Sequence, residues 1–145
     1  MIAVDTNLLV YAHRRDAEFH SNAADCIRRL AENKAAWAIP WPCLHEFYAI
    51  ATHPRIYEPP STRVQAIAQI DAWMASPMLT ILSESPGYWD QLRGMLDSGR
   101  VAGPMVHEAR IPALCVSHGV RELWSADRDF GRFESELSVR NPLIG

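Results

Sequence analysis

The sequence predicts an α/β fold, a sandwich built around a mainly parallel sheet, and three observations predict it. Short apolar runs recur along the chain, longer stretches with helical spacing of their apolar positions separate them, and turn or cap residues stand at the junctions. With 145 residues there is material for one substantial core and one domain spanning residues 1–145, and no linker, repeat or low-complexity segment divides it.

Met1–Val4 is the first strand, and Asp5-Thr6-Asn7 behind it are residues favoured at a helix start. From Ser21, apolar or small residues at Ala24, Ile27, Leu30 and Ala31 alternate with charges in a helical period that stops near Asn33. Ala36–Ile39 reads as the second strand, closed by Pro40. Pro42 suits the first turn of a helix through about His53, with Leu44, Phe47, Ile50 and Ala51 as its apolar stripe, and Pro54 ends it. After a proline-punctuated loop, Ser61 or Thr62 caps a helix to about Ala75 whose apolar positions include Val64, Ile67, Ile70 and Trp73. Leu79–Leu82 is a third strand. Pro86 to Leu96 is helical, Asp97-Ser98-Gly99 is a turn, and Gly103-Pro104 opens a helix to about His118 that Gly119 stops. Glu122–Trp124 is a fourth strand and Leu137–Val139 a fifth.

Composition removes several classes. No window approaches ~18 uninterrupted apolar residues, so no membrane-spanning helix and no membrane partner is expected. The opening Met1-Ile2-Ala3-Val4-Asp5 lacks the basic start of a secretory signal, which points to a cytoplasmic protein. Cys26, Cys43 and Cys115 are widely spaced, so they read as small buried hydrophobes and not as a disulfide or zinc framework. A net charge of −3 argues against broad nonspecific nucleic-acid binding, unless a metal supplies the positive charge. Thirteen of the 14 basic residues are arginine, a bias suited to phosphate. The five tryptophans, Trp37, Trp41, Trp73, Trp89 and Trp124, read as core.

Ligands of open α/β sheets bind beyond the carboxyl ends of the strands. Asp5 follows the first strand and Asp127 the fourth, while Glu46 and Glu108 lie early in the helices after Pro40 and Gly103-Pro104. Each acid alone reads as a helix cap or a solvated side chain. Together they would repel one another unless a hard cation neutralised them, which points to Mg²⁺ or Mn²⁺. The rival motifs fail: His45-Glu46 and His53 do not have zincin spacing, and neither a P-loop nor a dinucleotide glycine motif is present. An aspartyl-phosphate phosphatase would want a carboxylate where Asn7 stands.

The motifs Val4-Asp5-Thr6-Asn7-Leu8-Leu9-Val10-Tyr11-Ala12, Leu44-His45-Glu46-Phe47, Thr52 to Tyr57, Val106-His107-Glu108-Ala109-Arg110-Ile111, Ser125-Ala126-Asp127-Arg128-Asp129-Phe130 and Asn141-Pro142-Leu143 span nearly the whole chain. In this order and spacing the chain resembles the PIN domains, and within them the VapC-type toxins of bacterial toxin–antitoxin pairs. The resemblance implies a PIN-like α/β/α sandwich with a mainly parallel central sheet of four to five strands. It also implies a Mg²⁺- or Mn²⁺-dependent endoribonuclease, acting on RNA of the tRNA or rRNA class, dimeric, and inhibited by a cognate VapB-type antitoxin. Asp5, Glu46, Glu108 and Asp127 would form the catalytic acids, with Asp5, Glu108 and Asp127 on the metal. Thr6 or Asn7 would orient Asp5, Ser125 would position water or metal, and Asp129 would support the metal. Arg14, Arg15, Arg110, Arg128 and Arg132 are the candidates for tracking the RNA backbone. The antitoxin segment is expected on the helices Ser21–Asn33 and Pro42–His53 and the loop around Tyr57.

One position departs from that pattern. The third acid is normally aspartate, and Glu108 carries the charge one methylene farther out. Pro112, four residues on, removes the hydrogen bond to the Glu108 carbonyl and can kink the helix. The alternative function is therefore a weakened or inactive PIN-fold module that mainly binds an antitoxin or another protein.

Overall fold

A computed structural model describes residues 1–144. Five parallel strands, β1 (Ile2–Val4), β2 (Trp37–Pro40), β3 (Leu79–Leu82), β4 (Glu122–Trp124) and β5 (Ser138–Arg140), form one sheet in the order β3-β2-β1-β4-β5. Six α-helices accompany them: α1 (Thr6–His13), α2 (His20–Glu32), α3 (Trp41–Ala51), α4 (Arg63–Met74), α5 (Tyr88–Ser98) and α6 (Val106–Ser117). The inner strands β2, β1 and β4 cross the core, whereas β5 at one edge has no buried residue. Ala3, Val4, Trp37, Ala38, Ile39 and Leu123 are wholly buried, as a sheet covered on both faces requires.

The order places β1 in the middle, with β2 on one side and β4 on the other. The chain thus leaves β1 and later returns beside it, and the crevice at such a reversal is where an open parallel sheet receives ligands. The Asp5 amide extends the ladder to the Trp124 carbonyl (3.0 Å) and the Ser125 amide to the Arg140 carbonyl (2.9 Å), so residues 5 and 125 are fixed at that edge by the sheet itself. Helix α1 packs on α2 and α3, and α5 packs on α6.

Most elements lie within two residues of their expected positions, and several readings need correction. Helix α4 begins with a full capping box, Thr62 and Gln65 exchanging side-chain and backbone bonds, but its buried positions are Ala66 and Trp73. Val64 is 78% and Ile67 51% exposed. The reason is phase: Ala66, Ile70 and Trp73 share one seam at helical spacing, and Val64 and Ile67 lie off it. Helix α5 runs through Ser98, so the expected turn at 97–99 is reduced to its end at Gly99. Trp41 and Trp89 are exposed, at 38% and 58%, whereas Trp37 and Trp73 are buried as expected. Cys43 and Cys115 are buried but Cys26 is only partly so. Pro112 sits inside α6, which continues through it to Ser117. Gly119, at φ 74°, follows the end of that helix in the left-handed conformation that glycine adopts without strain.

Candidate active site

Chain order alone would scatter the acids, and topology collects them. Asp5, Glu46, Glu108 and Asp127 line one cavity of about 270 Å³, together with Thr6, Asn7, Ile50, Pro104, His107, Ile111 and Phe130. They arrive from four places: the end of β1, the middle of α3, the first turn of α6, and the turn after β4.

Asp5 is the innermost, 5% exposed. One carboxylate oxygen accepts from Ser125 Oγ at 2.7 Å and the other from the Cys43 thiol at 3.5 Å. Burial pushes its pKa up to about 6, against the opposing pull of those hydrogen bonds and with a further push from Glu46. Ser125 is itself buried and accepts from the Asp127 amide at 2.9 Å, so one hydroxyl ties Asp5 to the turn carrying Asp127. Asp127 is both a cap and a pocket wall, since its Oδ1 accepts from the Asp129 amide at 2.8 Å.

Carboxylate oxygens of Glu108, Asp127 and Asp129 lie within 4.8 Å of one another. Partial burial, then Asp129 and Asp127, raise the Glu108 pKa, while Arg132 works the other way. The longer Glu108 side chain thus reaches the other acids from the start of α6. Three carboxylates at such spacing, with Asp5 and Glu46 on the same cavity, are a donor set for a hard divalent cation, which prefers oxygen and offsets the crowding of negative charge. Asp129 belongs to this trio, and Asp5 lies on the same cavity as Glu108 and Asp127.

Thr6 does something other than expected. Its hydroxyl donates to Glu46 Oε2 at 2.9 Å, so its side chain holds Glu46, and only its backbone serves Asp5. Asn7 lines the cavity. The five arginines part company. Arg14 makes a two-pronged pair with Asp16 (2.9 and 2.7 Å), reaches Ser61 Oγ (3.1 Å) and the Pro59 carbonyl (2.9 Å), and lies 4.4 Å over the Tyr57 ring. It fastens the proline-rich loop to the end of α1, and that task occupies most of its N–H donors. Arg110 turns inward to Glu46, with Nη2 3.6 Å from Oε1 and a buried Nε that has no hydrogen-bond partner. Arg15, Arg128 and Arg132 are exposed, Arg132 close to Met105 at 3.7 Å and Arg128 on a neighbouring cavity of about 260 Å³.

The sequence reading missed the Cys43–Asp5 contact and the Arg110–Glu46 pair. Position within an element is legible from the chain, whereas the partner across tens of residues is not. For Cys43 the available signal was its place in the first turn after β2, at the same sheet edge as Asp5.

No family model matches the chain. Among curated relatives it is 32% identical over 143 residues to "Ribonuclease VapC31" of Mycobacterium tuberculosis, a match covering 99% of this chain and 100% of that protein. It is 31% identical over 145 residues to "Ribonuclease VapC43" of the same species, across 100% of this chain and 97% of that one. Among solved structures, M. tuberculosis VapC20, described as a sarcin-ricin loop cleaving toxin, superposes with a TM-score of 0.68 at 16% identity over 97% of this chain and 100% of that one, a likeness of fold.

Proposed function

From the premise that the chain belongs to the VapC family of ribonucleases, the toxin partners of VapBC pairs, we propose that Asp5, Glu46, Glu108 and Asp127 are the acids with which this endoribonuclease cuts RNA. The observation that supports this most is the convergence of those four carboxylates, from four separate segments, on one cavity at the reversal point of the sheet.

Divalent metal use belongs to the family, and Mg²⁺ or Mn²⁺ is the ion that these oxygen donors suit. Asp5, Glu108 and Asp127 would hold it, with Asp129 supporting them. Bound there, such an ion supplies charge neutralisation at the scissile phosphate and a more acidic water. The protein's own work is positional. Ser125 keeps Asp5 and the Asp127 turn in register, Thr6 fixes the Glu46 carboxylate, and Glu46 orients the attacking water and takes its proton. Water adds to phosphorus while the bond to the 3′ oxygen breaks and that oxygen takes a proton from solvent, leaving a 5′-phosphate and a 3′-hydroxyl with no covalent enzyme intermediate.

Exposed Arg15, Arg128 and Arg132 are the remaining candidates for contacts to the RNA backbone. The RNA is of the tRNA or rRNA class, read by shape and by unpaired bases. An antitoxin partner goes with the family. Its segment would dock on α2, α3 and the loop around Tyr57, beside a groove of about 850 Å³ lined from α1, α2 and α4. The toxin would act as a homodimer in the cytoplasm. Among the described residues no helix is long and apolar enough to cross a membrane.

The test is cleavage of bulk tRNA and rRNA by the purified chain with Mn²⁺, followed by analysis of the new ends. Labelling that requires a 5′-phosphate, lost in Asp5→Asn although that variant still melts cooperatively, is the expected result. Cleavage retained by Asp5→Asn, or ends bearing a cyclic phosphate, would contradict the assignment.

A further inference from the structure

We propose that Arg110 is a positioning residue for the reaction: it holds the Glu46 carboxylate from behind, opposite Thr6, and does not itself meet RNA. The inference rests on the ribonuclease reading above and gives Arg110 a role different from the backbone contact its charge first suggests.

Glu46 is gripped from two sides. Thr6 Oγ1 donates to Oε2 at 2.9 Å, and Arg110 Nη2 stands 3.6 Å from Oε1, an ion-pair distance longer than a hydrogen bond. The two grips come from different elements, the start of α1 and the second turn of α6. Arg110 follows Glu108 by two residues, which on a helix puts them roughly 200° apart. Glu108 accordingly lines the acidic cavity and Arg110 is absent from its wall, whereas Glu46 belongs to it. A phosphate seated in that cavity would meet the carboxylates and not this guanidinium.

Burial points the same way. The Arg110 side chain is 31% exposed and its Nε is buried with no partner, whereas an arginine that tracks RNA presents its planar fork to solvent. Arg128 and Arg132, both exposed, fit that description and Arg110 does not. Glu46 needs such a hold. It is a long side chain, 43% exposed, facing the same cavity as Asp5, Glu108 and Asp127, whose charges push it outward. Thr6 alone fixes one oxygen and leaves the carboxylate free to turn about that bond. A cation at the other oxygen sets its plane.

The test compares Arg110→Ala and Arg110→Lys, each alone and combined with Glu46→Gln, on whichever of bulk tRNA or rRNA the parent cuts, with Mn²⁺. Melting of the metal-free proteins and the salt dependence of RNA binding without metal are measured alongside. Arg110→Ala is expected to lower kcat between about tenfold and a hundredfold with KM and the salt slope unchanged. Lysine should recover part of the loss, and Glu46→Gln should abolish any further effect of position 110 on both kcat and melting temperature. A raised KM with the salt slope reduced by about one would make Arg110 a phosphate contact and overturn the proposal. So would losses that simply add in the double variant. Asp5→Asn separates the two readings: if it keeps the parent's cleavage, the nuclease assignment fails, while the melting cycle still decides whether residues 110 and 46 are coupled.

Discussion

Asp5 shows what a single residue costs and contributes in this fold. A carboxylate this buried, with only a hydroxyl, a thiol and one backbone amide to receive it, is unfavourable as an anion until a cation arrives. Its folded pKa of about 6 lies above the ordinary 3.8, so the metal-free protein gives up stability as the pH rises from about 4 through about 6, where the unfolded chain has ionised and the folded one resists. Above that range the penalty is constant, about 3 kcal/mol from this group. Asp5→Asn is therefore expected to raise the melting temperature of the metal-free protein at pH 7.5, to flatten its decline between pH 4 and 6, and to abolish cleavage. A variant less stable than the parent at pH 7.5 would show that the carboxylate is not under this strain. The place of Asp5 was legible because residues after a buried strand have few alternatives. The role of Arg14 was not, because Asp16, Ser61 and Tyr57 must first be folded around it.

Helix α4 makes the corresponding point for an element. Its extent could be read from a cap at Ser61 or Thr62 and the period of its apolar residues, since capping and periodicity are local. Its buried face is set by phase, with Ala66, Ile70 and Trp73 on one seam, and a list of its apolar positions does not give that phase. Trp73, edge-on to Phe47 at 4.8 Å between ring centres, carries the packing. Trp73→Ala should cost about 3–5 kcal/mol in denaturant unfolding, whereas Ile67→Lys should stay within about 0.5 kcal/mol. Comparable losses at the two positions would mean that α4 turns the Ile67 face, and not only the Trp73 face, into the core.

The whole molecule explains why a chain with net charge −3 can handle RNA. The parallel sheet reverses its order at β1, and the acids follow the strands and helices that end or begin at that edge. Negative charge is thereby concentrated where the proposed divalent ion would sit, and the net charge says little about the nucleic-acid partner. The sequence carried the strand and helix order and the positions of the acids, because both follow from local pattern. It did not carry the pairings of Ser125 with Asp5, Thr6 with Glu46, or Arg110 with Glu46, which join residues 40 to 120 positions apart in the chain and exist only once the sheet is closed.

The measurement that bears most directly on the central claim is a Mn²⁺ titration of the purified chain, freed of antitoxin, with melting temperature and RNA cleavage followed in the same samples and Glu108→Gln run beside it. Stabilisation and cleavage are predicted to rise together at one metal concentration, and Glu108→Gln to shift both to higher metal and lower the cleavage rate on the order of a hundredfold. Cleavage that proceeds in chelator, or a Glu108→Gln variant with an unshifted titration and full activity, would contradict that claim.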